Sequence, residues 1–190
     1  GLDINQDDTA LSFLPLSHVA ERMSDYAFYY DGATVAYAES IDAVPKNLME
    51  VKPTVAVGVP RFFEKVHDRV QASVAEASGF RRGLFEWAVG VGKATAPYRL
   101  KSEALPAGLG LKWKIADRLV CSKLRGRLGG RIRFFVSGAA PLPRHIAEFF
   151  FAVGIKICEG YGLTETSPVI ALNYPDGLKF GTVVRVIKNV

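Results

Sequence analysis

Short β-like runs alternate with longer helical stretches along this chain, and that alternation predicts an α/β fold, a mostly parallel sheet flanked by helices. Two further observations agree. Phe62, Val66, Val70 and Val74 recur every fourth residue and paint one face of a helix. Three polar loops, at Ser17 and His18, at 137–141 and at 159–166, each follow a strand-like run, which is where α/β sheets place their ligands.

In order, residues 9–16 (TALSFLPL) read as a buried strand and 18–30 as a helix. Residues 34–38 (TVAYA) form a second strand. Residues 44–51 suggest a short helix, with Pro45 suited to its first turn. Residues 54–59 (TVAVGV) are a third strand, ending at Pro60, and the helix of Phe62 to Val74 follows. Gly79, Gly83, Gly90 and Gly92 then weaken the helical pattern, and Pro97, Pro106, Gly108 and Gly110 mark a break. Residues 111–128 resume as a strongly basic helix, closed by Gly129 and Gly130. Residues 132–136 are a fourth strand running into a turn over 137–141. Pro143 opens a helix with Ile146, Phe149, Phe150 and Val153 on one face, and Gly154 ends it. Residues 155–158 and 169–172 supply further strands, and 185–189 read as the middle of another.

A chain of 190 residues, 49% apolar and 23% charged, can bury one domain's core and is unlike a disordered chain. Two cysteines, Cys121 and Cys158, are too few for the disulfide framework of a small secreted protein and read as reduced, partly buried thiols of a cytoplasmic one. With three scattered histidines they make no zinc spacing. There is no basic-then-apolar leader. Uncharged runs reach only about ten residues, as in 134–143, against about 20 for a membrane span. The net charge of +5 is unevenly spread: residues 81–133 hold thirteen Lys and Arg against Glu86, Glu103 and Asp117, so that segment is +10 and the remainder −5. Such a segment forms the solvated face of long helices, or meets a phosphate-bearing ligand or an anionic membrane peripherally. No nucleic-acid motif accompanies it, so nucleic acid is not an expected partner. The chain starts at Gly1 and stops at Val190 within a strand-like run, and is expected to be an internal piece of something longer.

Chemistry concentrates in 159–167 (EGYGLTETS). Gly160 and Gly162 let the backbone turn tightly on either side of Tyr161 and approach a ligand. Tyr161 offers a flat face to a base, Thr164 a hydroxyl to a phosphate oxygen, and Glu165 a carboxylate of the kind that holds magnesium beside phosphates. Residues 90–95 (GVGKAT) resemble a Walker phosphate loop only faintly: Trp87 stands where the first glycine belongs and Ala94 where Ser or Thr belongs. No G-x-S-x-G elbow is present, which argues against a serine hydrolase.

The string YGLTET at 161–166 closely resembles a signature of the adenylate-forming, AMP-binding superfamily, which includes acyl-CoA synthetases, aryl-CoA ligases, luciferases and peptide-synthetase adenylation domains. SGAAPL at 137–142 resembles the family's second nucleotide-site loop, LPLSH at 14–18 its motif beside the acyl and adenylate pocket, and FGTV at 180–183 the stretch beyond the nucleotide loop. LPLSHVAER, VPRFFEKV at 59–66 and the basic helical segment look like the long-chain branch. The resemblance covers essentially the whole chain. It implies that residues 1–190 are part of the large N-terminal domain of a long-chain fatty acid–CoA ligase, with 81–133 a basic helical insert and the C-terminal domain absent. Tyr161 would stack on adenine, with Glu159 and Gly160 along its edge, Gly138 and Ala139 forming the other wall and Gly162 turning the loop. Thr164 would hold the α-phosphate, Glu165 would bind magnesium, and His18 would sit at the mouth of the acyl pocket. The implied substrates are fatty acid, ATP and coenzyme A. Phe149, Phe150 and Phe151 suggest an acyl tunnel, but three consecutive aromatics cannot share one helix face, so core packing is expected for at least one or two.

The departures are as informative. Nothing in these residues resembles the family's Ser/Thr/Gly-rich loop for the ATP β- and γ-phosphates, its ribose-binding aspartate, or the catalytic lysine of its C-terminal domain, so this chain alone is expected to be inactive. Val184 replaces the usual glycine after Gly-Thr-Val. Two alternatives stay open: an adenylating enzyme for medium-chain or aryl acids, and a non-catalytic binding or interaction module.

Overall fold

The computed structural model describes residues 2–183 and 185–187; Val184, singled out above, lies outside them. Strands β1 (Thr9–Ser12), β2 (Thr34–Tyr37), β3 (Val55–Gly58), β4 (Phe134–Ser137) and β5 (Ile157–Gly162) pair in the order 2-1-3-4-5, all parallel. β6 (Val169–Leu172) returns antiparallel along β5, and β7 (Arg185–Val186) antiparallel along β6. The fold is therefore the expected α/β one, with a mostly parallel sheet of seven strands.

Parallel neighbours need crossover connections, and helices supply them. These are α1 (Val19–Tyr30), α2 (Val44–Val51), α3 (Pro60–Ala75), α4 (Gly79–Leu100), α5 (Ala107–Ala116), α6 (Ser122–Gly126) and α7 (Arg144–Ala152). A π-helical turn over Asp117–Cys121 joins α5 to α6. Successive strand residues point to opposite faces. Leu11, Ala56, Phe135 and Ile157 enter one core with Phe63 of α3 and Phe150 of α7, whereas Ala10, Val55, Val57, Phe134 and Cys158 enter a second with Phe28 of α1. Phe63 meets Phe135 and Phe150 edge-on, with ring centroids 5.5 and 5.8 Å away, a favoured aromatic geometry. Phe149 and Phe150 join the first core and Phe151 the second, where it packs on Phe180. The three rings are split between two cores, as their spacing requires.

Several boundaries differ from the sequence expectation: β5 runs on through Gly162, so that residues 159–162, expected as loop, are strand, and the helix expected over 111–128 is divided into α5, the π-helical turn and α6. β1 stops at Ser12, not residue 16; Pro15 has no N–H to extend a ladder. α4 runs unbroken for 22 residues through all four glycines, and Pro97 sits inside its last turn. Packing overrides propensity there: a Cβ on Gly92 would stand 2.1 Å from the carbonyl oxygen of Ala152, so α4 and α7 cross at a distance that only glycine permits. The basic region folds as α4 packed against α5 and the π-helical turn, with α6 continuing from that turn. Among the described residues no helix is long and apolar enough to cross a membrane. Cys121 and Cys158 are buried, unpaired thiols, pushed up by burial to about 11 and about 12.

Two ionic clusters frame the sheet. Asp8, almost fully buried, accepts from Thr54 Oγ1 at 2.6 Å and pairs with Arg133, tying β1, β3 and β4 together at their starts. Burial works to raise the Asp8 pKa, but the bonds from Arg133 and Thr54 outweigh it and hold the group below its ordinary value. The second cluster lies beneath α1. Ser12 Oγ sits 2.7 Å from Glu21 Oε1 and 3.2 Å from Asp25 Oδ2, and all three residues are buried. One hydroxyl proton cannot serve two carboxylates, and among the described residues Glu21 Oε2 and Asp25 Oδ1 have no hydrogen-bond partner. Burial raises both acids, and the Asp25 charge raises Glu21 further.

A raised folded-state carboxyl favours folding while it is protonated, and that contribution is lost as pH climbs from the unfolded value through the folded one. Glu21→Gln removes the charge and keeps an acceptor for Ser12. It should raise stability at pH 8 by about 1 kcal/mol, shrinking towards zero near pH 4, in urea unfolding at both pH values. A variant less stable than the parent at pH 8 would contradict a buried charge penalty at this position.

Candidate functional site

A cavity of about 560 Å3 opens between α1 and the sheet, at the ends of β3, β4 and β5. Its deep part is apolar, lined by Met23, Ala27 and Phe28 of α1 and by Val57, Phe134 and Val136 of the sheet. Its polar end is made of the loop after β4, the last residues of β5 and the turn that follows it. Of the residues singled out by sequence, His18, Gly138, Ala139, Gly160, Tyr161, Gly162, Thr164 and Glu165 all line this one cavity.

Each is held there for a local reason. His18 caps α1, its Nδ1 accepting from the Ala20 N–H at 3.2 Å, which leaves Nε2 for other contacts. Its roles as helix cap and as cavity wall therefore coexist. Gly138 donates its N–H to Gly58 O, continuing the β3–β4 ladder past the strand end. Ala139 then takes a left-handed conformation, φ 68°, which costs a residue with a Cβ about 1–2 kcal/mol. The backbone turn after β4 is thus enforced by its surroundings. At Gly162 a Cβ would fall 1.6 Å from Pro168 O, because the returning β6 strand presses on β5. The ladder shifts register between Tyr161 and Gly162 and leaves the Tyr161 ring half exposed. Thr164 and Glu165 stand exposed on a single 3-10 turn, Thr164–Thr166. Thr166 closes that turn: its Oγ1 accepts from the Leu163 N–H at 3.1 Å and lies 2.8 Å from Pro168 O.

Glu159 departs from the expectation. It does not line the cavity; it is buried, and its carboxylate spans two loops. Oε1 accepts from the Gly181 N–H at 3.2 Å and Oε2 from the Leu142 N–H at 3.4 Å. It pairs with Ser137 across β4 and β5. The FGTV segment is thereby fastened behind the nucleotide-like loop. Asn173, which the sequence reading did not single out, completes the fastening: buried, it donates Nδ2 to Lys179 O and Thr182 O at 2.7 and 3.1 Å. No local pattern marks that asparagine; its role appears only once β6 returns. The cavity's apolar wall could have been found, since Val55 with Val57 and Phe134 with Val136 alternate onto the face that α1 covers.

The AMP-binding enzyme family matches residues 2–190, and the chain belongs to that family. Among curated proteins it is 38% identical over 185 residues to long chain acyl-CoA synthetase 1 of Arabidopsis thaliana, covering 95% of this chain and 27% of that protein. It is 36% identical over 189 residues to the putative fatty-acid–CoA ligase fadD11 of Mycobacterium tuberculosis, covering 98% and 33%. The chain thus spans about a third or less of these relatives. Among solved structures it resembles a benzoate CoA ligase from Burkholderia xenovorans LB400, with TM-score 0.60 and 25% identity over 98% of this chain and 29% of that one. The N-terminal domain of FACL13 from Mycobacterium tuberculosis shares the fold, with TM-score 0.56 and 21% identity over 97% and 35%.

The two-loop role of Glu159 is testable. Glu159→Gln turns one acceptor into a donor facing a backbone N–H and should cost about 1–3 kcal/mol. Amide hydrogen exchange should speed up at both Leu142 and Gly181. Acceleration at one amide alone would mean that the carboxylate does not join the loops.

Proposed function

We propose that this chain is part of an ATP-dependent long-chain fatty acid–CoA ligase, which forms an acyl-AMP intermediate and then an acyl-CoA. The observation that carries the reading is a single cavity with an apolar trough under α1 and, at its open end, a half-exposed tyrosine from the glycine-bounded end of β5 with a hydroxyl and a carboxylate from the turn that follows. The names of the curated relatives support the long-chain assignment.

In this reading the acyl chain lies along Met23, Ala27, Phe28 and Val136, with His18 where the trough meets the polar end. Adenine stacks on Tyr161, between the Gly160–Gly162 backbone and the wall formed by Gly138 and Ala139. Thr164 hydrogen-bonds an α-phosphate oxygen. The fatty carboxylate oxygen bonds to the α-phosphorus as the bond to pyrophosphate breaks; the thiol sulfur of coenzyme A then bonds to the acyl carbon as AMP leaves. These residues contribute position and fixed dipoles more than a nucleophile. Among the described residues no three His, Cys, Asp or Glu side chains cluster as a self-sufficient metal site. Glu165 alone, exposed beside Thr164, suits magnesium, which takes one or two carboxylates and completes its shell with phosphates and water. When bound there, the ion neutralises phosphate charge. The triphosphate-gripping loop, the ribose aspartate and the lysine of the related enzymes have no counterpart in these 190 residues, so this chain by itself turns over no substrate. The basic α4–α6 region is compatible with peripheral contact at an anionic membrane.

Calorimetric titration should find weak AMP binding, lowered about tenfold or more by Tyr161→Ala and by Thr164→Ala, given about 1–3 kcal/mol for each stack or phosphate hydrogen bond. Tight binding indifferent to both changes would place the nucleotide elsewhere. In the full-length parent, pyrophosphate exchange should respond to long-chain fatty acids. Exchange with aryl acids alone would replace the long-chain reading by the aryl one.

A further inference from the structure

The opposite face of the sheet holds a second cavity, of about 460 Å3, between α2, α3, α6 and α7. Its floor is core: Leu48, Phe150, Val153 and Ile155 are almost fully buried. One wall is the α3 stripe of Phe62, Val66 and Val70. Its mouth is polar and electrically unbalanced. Arg69 and Arg127 line it, exposed and, among the described residues, in no ion pair, with Glu76 as the one acid. Protein interiors are otherwise filled to crystal-like density, and the volume falls within the range of small-molecule sites.

An apolar hole rimmed by two guanidinium groups complements a hydrocarbon tail carrying an anionic head, since arginine matches a carboxylate with two parallel hydrogen bonds. We propose that this cavity binds a single-chain anionic amphiphile of the fatty-carboxylate class, its tail against Phe62, Val66, Phe150 and Val153 and its head between Arg69 and Arg127. The site is separate from the cavity under α1: the sheet lies between them, and neither a glycine nor a tyrosine lines this one. An occupant here is held and not activated, so the site senses the substrate class without consuming it. The proposal stands whether or not the ligase reading does.

A Ser73→Cys variant carrying an environment-sensitive dye reads the mouth directly, because Ser73 is exposed on the cavity lining and the two native thiols are buried. Dodecanoate below its micellar concentration should give a saturable emission shift. Arg69→Gln with Arg127→Gln should weaken it about tenfold or more, as losing charge-assisted hydrogen bonds does. Val70→Trp should abolish the shift by filling the cavity, and Met23→Trp, in the other cavity, should leave it intact. Dodecyltrimethylammonium should give none. Four results each overturn the proposal: no saturable shift, an equal response to the cationic amphiphile, indifference to the arginine changes, or loss of the shift in Met23→Trp. The arginine changes are at exposed positions, so the test holds even where Val70→Trp does not fold.

Discussion

A parallel sheet has to be covered on both faces, and the rest of this structure follows from that requirement. Strands β1 to β5 run in one direction, so every return passes over a face and leaves a helix on it. Side-chain alternation then divides the strands' residues between two cores. Neither face is filled completely. Each retains an apolar cavity, and of these two the one on the α1 side has a glycine-bounded polar rim. The two sides of one sheet thus carry cavities with chemically different rims.

The polar end is built as a unit. Glu159, through the backbone amides of Leu142 and Gly181, and Asn173, through the carbonyls of Lys179 and Thr182, fasten the loop after β4 and the 179–182 segment to β5 and β6 as one wall. Both are buried and neither lines the cavity. The residues that line it, Tyr161, Thr164 and Glu165, are exposed and make few contacts of their own. Rigidity comes from behind and accessibility is kept in front, an arrangement suited to residues that must meet a ligand without rearranging.

Much of this was legible from the residues, and the failures share a cause. The bounds of α2 and β6 match the sequence reading residue for residue. For α2, local chemistry settles both ends, with Pro45 in the first turn and Lys52 in a left-handed conformation after it. Residues 137–141 and 159–166 stand out because glycine and polar residues directly after strand-like runs are a local signal, although 159–162 are the end of β5 itself, held there by the returning β6. What escaped depends on partners far along the chain. Gly92 looks like a helix weakener until Ala152 stands beside it. Nothing local shows that the Glu159 carboxylate also accepts from the amides of Leu142 and Gly181, because both partners are distant in sequence. The Glu21–Asp25–Ser12 cluster is invisible in a stretch whose neighbours are mostly apolar, because β1 and α1 meet only in the fold.

The crossing at Gly92 also has a mechanical meaning. Contact between a backbone carbonyl and a helix with no intervening side chain leaves no soft layer to absorb displacement. α7 in turn leads into β5 through only four residues, 153–156, and β5 carries Tyr161. The basic helical region is therefore seated, by direct backbone contact with α7, within one short connection of the strand that carries the tyrosine.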